Sequence, residues 1–216
     1  MDGQTGKPGG HSYQEQELFT IKYSPKSFSQ LLSNDAVNIE LLKWLGKWKK
    51  GDASGECPVM LLTGPPGLGK TTVAHLVAKT VGYNPLEINA SDERSGESLI
   101  NRITSIVTSA PLFNQNPACV IIDEIDGAVD NANSSHSLIS FLVKLVNSVG
   151  ITPVADDTDD NENRDGPKTS GKGKTLVRRP IICICNDLYA PALRPLRSAL
   201  DQSRIVHVKR PAPTQL

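Results

Sequence analysis

The chain has 216 residues, enough for one domain with a sizeable core and a small second piece. Lys plus Arg equals Asp plus Glu at 23 each, so no global positive field draws it to nucleic acid, and any DNA contact would need a local patch or neighbouring subunits. Residues 1–17 are polar with no apolar signal core, and no run approaches the ~18 apolar residues that span a bilayer, which points away from a secretory leader and a membrane partner.

Residues 1–17 carry four glycines and one proline among polar neighbours and read as a disordered lead-in. The segment Lys22-Tyr23-Ser24-Pro25-Lys26-Ser27-Phe28 is extended before its proline. Val37, Leu41, Trp44, Leu45 and Trp48 repeat at helical spacing and predict a helix over residues 35–49, with both tryptophans assigned to packing rather than base stacking. Strand one is expected at 59–63, then a glycine-rich turn and a helix to Val81 that stops at Gly82. Strand two is expected at 86–89, a polar loop at 90–96, a helix at 97–108 and strand three at 118–122. A helix over 135–148 places Leu138, Phe141, Leu142, Leu145 and Val149 on one face. Strand four is expected at 180–185, a short helical piece from Ala190, and strand five at 204–208. Five short apolar runs separated by helices predict an α/β fold, a five-stranded parallel sheet with helices on both faces.

Residues 151–179 break this pattern. Asp156, Asp157, Asp159, Asp160, Glu162 and Asp165 form an acidic block, and Lys168, Lys172, Lys174, Arg178 and Arg179 a basic one. The segment reads as a charged, disordered insertion, with contact of its basic half to DNA or an acidic partner as the sharper reading. Cys57, Cys119, Cys183 and Cys185 form no C-x-x-C pair. Three of them lie in or beside apolar strands, where cysteine packs as a small hydrophobe, and a reducing compartment fits them.

The chemistry centres on Gly64-Pro65-Pro66-Gly67-Leu68-Gly69-Lys70-Thr71, set between strand one and its helix. This G-x-x-x-x-G-K-T run has the context of a phosphate-binding loop. Its glycines let backbone N–H groups face a polyphosphate, and the helix adds its positive end. Pro65, Pro66, Gly67, Leu68, Gly69, Lys70, Thr71 and Thr72 are the candidate nucleotide contacts. Lys70 reaches the β- and γ-phosphates, and the Thr71 hydroxyl ligates Mg2+. About fifty residues on, strand three ends in Asp123-Glu124. An acid at the tip of an adjacent strand sits beside the metal, which suits Asp123; Glu124 then faces the γ-phosphate and polarises the attacking water. Asp126 is either a third acid or, preferably, a helix cap. Asn186, after strand four, either forms an Asn-Asp turn or contacts the γ-phosphate and its water. The candidate catalytic set is therefore Glu124, Asp123, Lys70 and Asn186, with Thr71 and Asp123 at the metal.

These motifs resemble those of the AAA+ ATPases, and more narrowly the clamp loaders of the replication factor C family. Gly64 to Thr71 and Ile121 to Asp126 match the Walker A and Walker B boxes, and Asn186 matches the sensor-1 position. Asn89-Ala90-Ser91-Asp92-Glu93-Arg94-Ser95-Gly96 is similar to the N-A-S-D-x-R loop of replication factor C subunits, and residues 22–28 to their K-Y-x-P-x-x-F segment, which implies that Tyr23 lies near the adenine. Gly82-Tyr83-Asn84 and Ile125-Asp126-Gly127-Ala128 are most similar to large subunits of the chromosome transmission fidelity type. The resemblance spans about residues 18–211 outside the insertion. It implies ATP and Mg2+ as cofactors, and four smaller replication factor C subunits, a sliding clamp and primer–template DNA as partners. It also implies nuclear work in replication and sister-chromatid cohesion. The helical lid with its sensor-2 arginine is missing, 212–216 being its start, and the Ser-Arg-Cys arginine is unclear: Ser203-Arg204-Ile205 is the nearest match, with Arg194 and Arg197 as rivals. A static ATP-binding scaffold and an AAA+ helicase or remodeller are the competing readings. Glu124 speaks against the first and the loop at 89–96 against the second.

Overall fold

The computed structural model describes residues 25, 35–51, 55–91, 96–109, 116–127, 137–148 and 177–210. The lead-in, Tyr23, the loop 92–95, Ser135, Val149, most of the charged insertion and 212–216 lie outside them.

The first described helix, α1 (Asp35–Lys50), buries Val37, Leu41, Trp44 and Leu45 along one stripe. Asp35 in its first turn and Lys47, Lys49 and Lys50 in its last suit the helix dipole. Strand β1 (Val59–Thr63) is buried at all five positions, as befits a strand covered on both faces. Helix α2 (Lys70–Val81) stops where the sequence places it. Gly82 takes the left-handed conformation (φ 88°), its N–H bonds Lys79 O at 3.0 Å, and the Tyr83 N–H bonds Ala78 O at 2.9 Å, a Schellman closure. Lys49 Nζ adds a bond to Gly82 O (2.9 Å) and lies over the Tyr83 ring.

Strand β2 (Asn84–Asn89) starts two residues earlier than expected and contains Pro85. A proline is tolerated because β2 is an edge strand. Helix α3 (Gly96–Thr108), β3 (Ala118–Asp123), α4 (Leu138–Asn147), β4 (Ile181–Cys185), α5 (Arg194–Ala199) and β5 (Ile205–His207) follow. Helix α4 begins at Leu138 because Ser137 is its N-cap, its Oγ accepting the Ser140 N–H at 3.1 Å.

All pairings are parallel, in the order β2-β3-β4-β1-β5. Side-chain alternation along the strands divides the interior into two cores. Val59, Leu61, Val120, Ile122, Ile181 and Cys183 face α3, α4 and α5. Met60, Leu62, Cys119, Ile121, Ile182 and Ile184 face α1 and α2. Trp44 packs in the second core and donates its Nε1–H to Cys57 O at 3.2 Å; Trp48 packs half-buried beside it. All four cysteines are free thiols, and burial pushes the Cys119 and Cys183 thiols far up from their ordinary range.

Two glycines make opposite predictions. A Cβ on Gly64, at the tip of β1, would collide with the Val208 carbonyl oxygen, while one on Gly46 in α1 meets nothing. Gly64→Ala should lower stability by about 1–3 kcal/mol, and Gly46→Ala should raise it by roughly 0.5–1 kcal/mol, both read from denaturant unfolding midpoints.

Candidate active site

Beyond Thr63 the chain turns through Gly67 (φ 78°) and Gly69 (φ 72°), both left-handed, and enters α2 at Lys70. Leu68 packs against the second core, which pins the loop. Lys70 is only 6% exposed. Its Nζ donates to Gly64 O (2.7 Å), Pro65 O (2.9 Å) and Asn186 Oδ1 (2.8 Å), so all three ammonium hydrogens have partners. Burial pushes its pKa down; Asp123, Cys185 and Asp126 oppose that shift.

Thr71 Oγ1 donates to Asp123 Oδ2 at 2.5 Å. The two proposed metal ligands therefore converge on one point. One expectation needs correcting, however. Strand β3 is not adjacent to β1, because β4 lies between them. The first turn of α2 carries Lys70 and Thr71 over the tip of β4, so Lys70 meets Asn186 on the way and Thr71 reaches the second strand over.

Glu124 follows β3 with φ 54°, the left-handed region that a glutamate rarely adopts. Its N–H donates to Asp123 Oδ1 at 2.8 Å. The turn directs its carboxylate toward β2, where Oε2 accepts from Ser91 Oγ (2.8 Å) and Asn89 Nδ2 (3.3 Å). The side chain is thus held on the β2 side. Asn89 and Ser91 stand in the loop that carries the family resemblance, but nothing in their spacing marks them as partners of Glu124.

The helix that Asp126 is expected to cap falls on residues outside the described ones, and Asp126 itself has other partners. It lies in the 3-10 turn Ile125–Gly127, and its Oδ2 accepts the backbone N–H groups of Asn186 and Asp187, each at 3.0 Å. The next described helix, α4, is capped by Ser137 instead. Asn186 Oδ1 must face Lys70 because an ammonium only donates, which leaves the amide N–H groups for another acceptor.

The three arginines differ sharply. Arg204 pairs with Glu56, which also accepts from Lys47 Nζ at 2.5 Å. Arg197 donates to Leu188 O (3.1 Å) and stacks over the Tyr189 ring with its guanidinium 4.8 Å from the centroid. Arg194 is exposed at the start of α5. A hollow of about 520 Å³ lined by Lys79, Tyr83, Asn84, Pro85 and Asn116 lies at the amino-terminal ends of β2 and β3, the opposite end of the sheet from Lys70, Thr71 and Asp123.

A phosphate loop, an acidic strand tip and a polar tip on the strand between them now stand together. The family model described as "ATPase family associated with various cellular activities (AAA)" matches residues 60–207. The chain belongs to the AAA ATPase family. Chromosome transmission fidelity protein 18 of Saccharomyces cerevisiae is 34% identical over 98% of this chain and 30% of its own length. The human chromosome transmission fidelity protein 18 homolog is 33% identical over 92% of this chain and 24% of its own. Replication factor C subunit 1 of Schizosaccharomyces pombe is 33% identical over 87% and 19%. The chain thus spans under a third of these relatives, and the resemblance to large clamp-loader subunits is borne out. Among solved structures, the FIGL-1 AAA domain (TM-score 0.55, 18% identity) covers 89% of this chain and 58% of its own. The Thermotoga maritima RuvB Holliday junction branch migration motor (TM-score 0.50, 21% identity) covers 85% and 48%. Both share the five-stranded α/β fold.

The Glu56 cluster gives a pH-dependent prediction. The Lys47 hydrogen bond first, and Arg204 with it, hold the Glu56 carboxyl below its ordinary range against the opposing effect of burial. A depressed folded-state pKa stabilises the fold above the ordinary glutamate range, and that stability is lost as pH falls through the depressed value. Glu56→Gln should therefore lower Tm at pH 7, and its Tm should converge with that of the parent chain toward pH 3 in a thermal melt series.

Proposed function

We propose that this AAA-family chain is the ATP-binding and hydrolysing part of a replication factor C-like clamp loader. In that role it joins smaller replication factor C subunits and a sliding clamp at primer–template DNA in the nucleus, in replication and sister-chromatid cohesion. The observation that carries the reading is the convergence of Lys70, Thr71, Asp123 and Asn186 over the carboxyl ends of β1, β3 and β4. Among the described residues no helix is long and apolar enough to cross a membrane.

The donor set fits Mg2+: a hydroxyl and a carboxylate oxygen meet at one point, which suits a hard cation that takes few protein ligands and completes its shell with phosphate and water. Thr71 and Asp123 would hold it. When bound, it supplies neutralisation of the phosphate charge.

The chain's own residues do the rest. Lys70 exchanges its carbonyl partners for β- and γ-phosphate oxygens and so positions the triphosphate. Asn186 keeps its oxygen toward Lys70 and donates an N–H to the γ-phosphate. Glu124 leaves Ser91 and Asn89 and accepts a proton from the water that attacks the γ-phosphorus. The bond from that phosphorus to the bridging oxygen of ADP breaks, and phosphate is the second product. A neighbouring subunit's arginine supplies a rate factor of about 10³–10⁵. The isolated chain therefore binds ATP and turns it over slowly, in keeping with the position of Glu124 against β2.

The test is a titration of the purified chain with ATP and Mg2+, combined with co-purification with replication factor C small subunits. Lys70→Ala should weaken ATP binding by at least about tenfold. Glu124→Gln should keep the affinity and lower turnover in the assembled complex by about 10²–10⁴-fold. Unchanged binding by Lys70→Ala would overturn the site assignment. Unchanged turnover by Glu124→Gln would favour the scaffold reading, and strand separation by the complex the helicase one.

A further inference from the structure

The Asn186 side chain is a short lever: two torsions separate its amide from the main chain. Where that amide points is therefore set by what holds the backbone after β4. Asn186 and Asp187 each donate a backbone N–H to one carboxylate oxygen, Asp126 Oδ2, at 3.0 Å. Bonds to an ionised acceptor are about twice as strong as neutral ones. The turn that presents Asp126 is itself anchored. Ile125 is fully buried in the first core, and the Gly127 N–H closes on Glu124 O at 3.0 Å. Asp187 Oδ1 then accepts the Tyr189 N–H at 2.8 Å, which folds the loop after β4 back on itself. Asp126 follows Asp123 by three residues, so one short turn sets the metal-side acid, the water-side acid and the support of the amide.

We propose that Asp126 is a positioning residue for Asn186, and that through it the site tells a nucleoside triphosphate from a diphosphate. The inference rests on the nucleotide reading above. The mechanism is a difference between two ligands. ADP engages the loop and Lys70 but lacks the γ-phosphate that the Asn186 amide would meet. Loss of the Asp126 acceptor lets the turn at 186–187 drift, and the cost falls chiefly on the triphosphate.

Isothermal titration of the full 216-residue chain with ADP and with a non-hydrolysable ATP analogue, both with Mg2+, tests this. Asp126→Ala should keep ADP affinity within about twofold and reduce the preference for the triphosphate by about tenfold, the effect of one charge-assisted hydrogen bond. Asp126→Asn keeps a neutral acceptor oxygen for the two N–H groups and should cut the loss to about threefold. In an Asn186→Ala background, Asp126→Ala should have no further effect on it. Full preference in Asp126→Ala overturns the proposal, as does equal loss in Asp126→Ala and Asp126→Asn, or additive loss with Asn186→Ala. Should Asp126→Ala fail to fold, Asp126→Asn and the same comparison with Asp126→Ser in the Asn186→Ala background decide it by the same criteria. Absence of ADP binding in the parent chain would overturn the nucleotide reading itself and this inference with it.

Discussion

A buried ammonium needs acceptors, and the upper end of this molecule is organised by how Lys70 finds them. An isolated lysine removed from water would lose its proton or its place. Here the loop's own carbonyls at Gly64 and Pro65 take two hydrogens, and Asn186 takes the third. The first two bonds wrap the loop around its own side chain. The third crosses to β4. This makes the charged group a tie between two strand ends before any ligand is considered. The acceptors are neutral, so a phosphate oxygen carrying negative charge can replace them on favourable terms.

The tie depends on strand order. With β4 between β1 and β3, three strand tips line up as base, amide and acid, and the first turn of α2 lies over all of them. β1 and β4 are buried at every position, with a separate helix layer on each face. Such strands shift little without disturbing both cores, because packed interiors have little free volume. The polar tips therefore sit on rigid supports.

Local sequence showed much of this and missed what depends on long-range order. Apolar runs revealed all five strands and Gly82 revealed the end of α2, because those signals lie within a few residues of the feature. Strand order is not local, and so the placement of β4 between β1 and β3 escaped. Pro85 lies inside β2, which starts two residues before the expected strand, and it is accommodated because β2 is an edge strand, a matter of strand order. Lys70, Thr71, Asp123 and Asn186 were legible as residue types in known spacing. Asp126 looked like a cap because Gly127 and Ala128 follow it, yet its partners lie sixty residues away in β4's exit turn. Asn89 and Ser91 were visible as residues but not as partners of Glu124, which depends on β2 and β3 being neighbours.

The two adjacent acids show how one strand tip supports a fixed group and a movable one. Asp123 has a 2.5 Å bond from Thr71, in the first turn of α2, and a bond from the Glu124 main-chain N–H. Glu124 depends on weaker terms. Ser91 has a single hydroxyl hydrogen, yet both Asn89 Oδ1 (2.7 Å) and Glu124 Oε2 (2.8 Å) lie within its reach, so it serves only one at a time. The remaining bond, from Asn89 Nδ2, is long at 3.3 Å. The left-handed backbone at Glu124 adds strain that no other described non-glycine residue carries. Fixed metal-side acid and loosely held neighbour follow from counting hydrogens. A small gain elsewhere suffices to move Glu124, whereas moving Asp123 would require breaking the contact that joins α2 to β3.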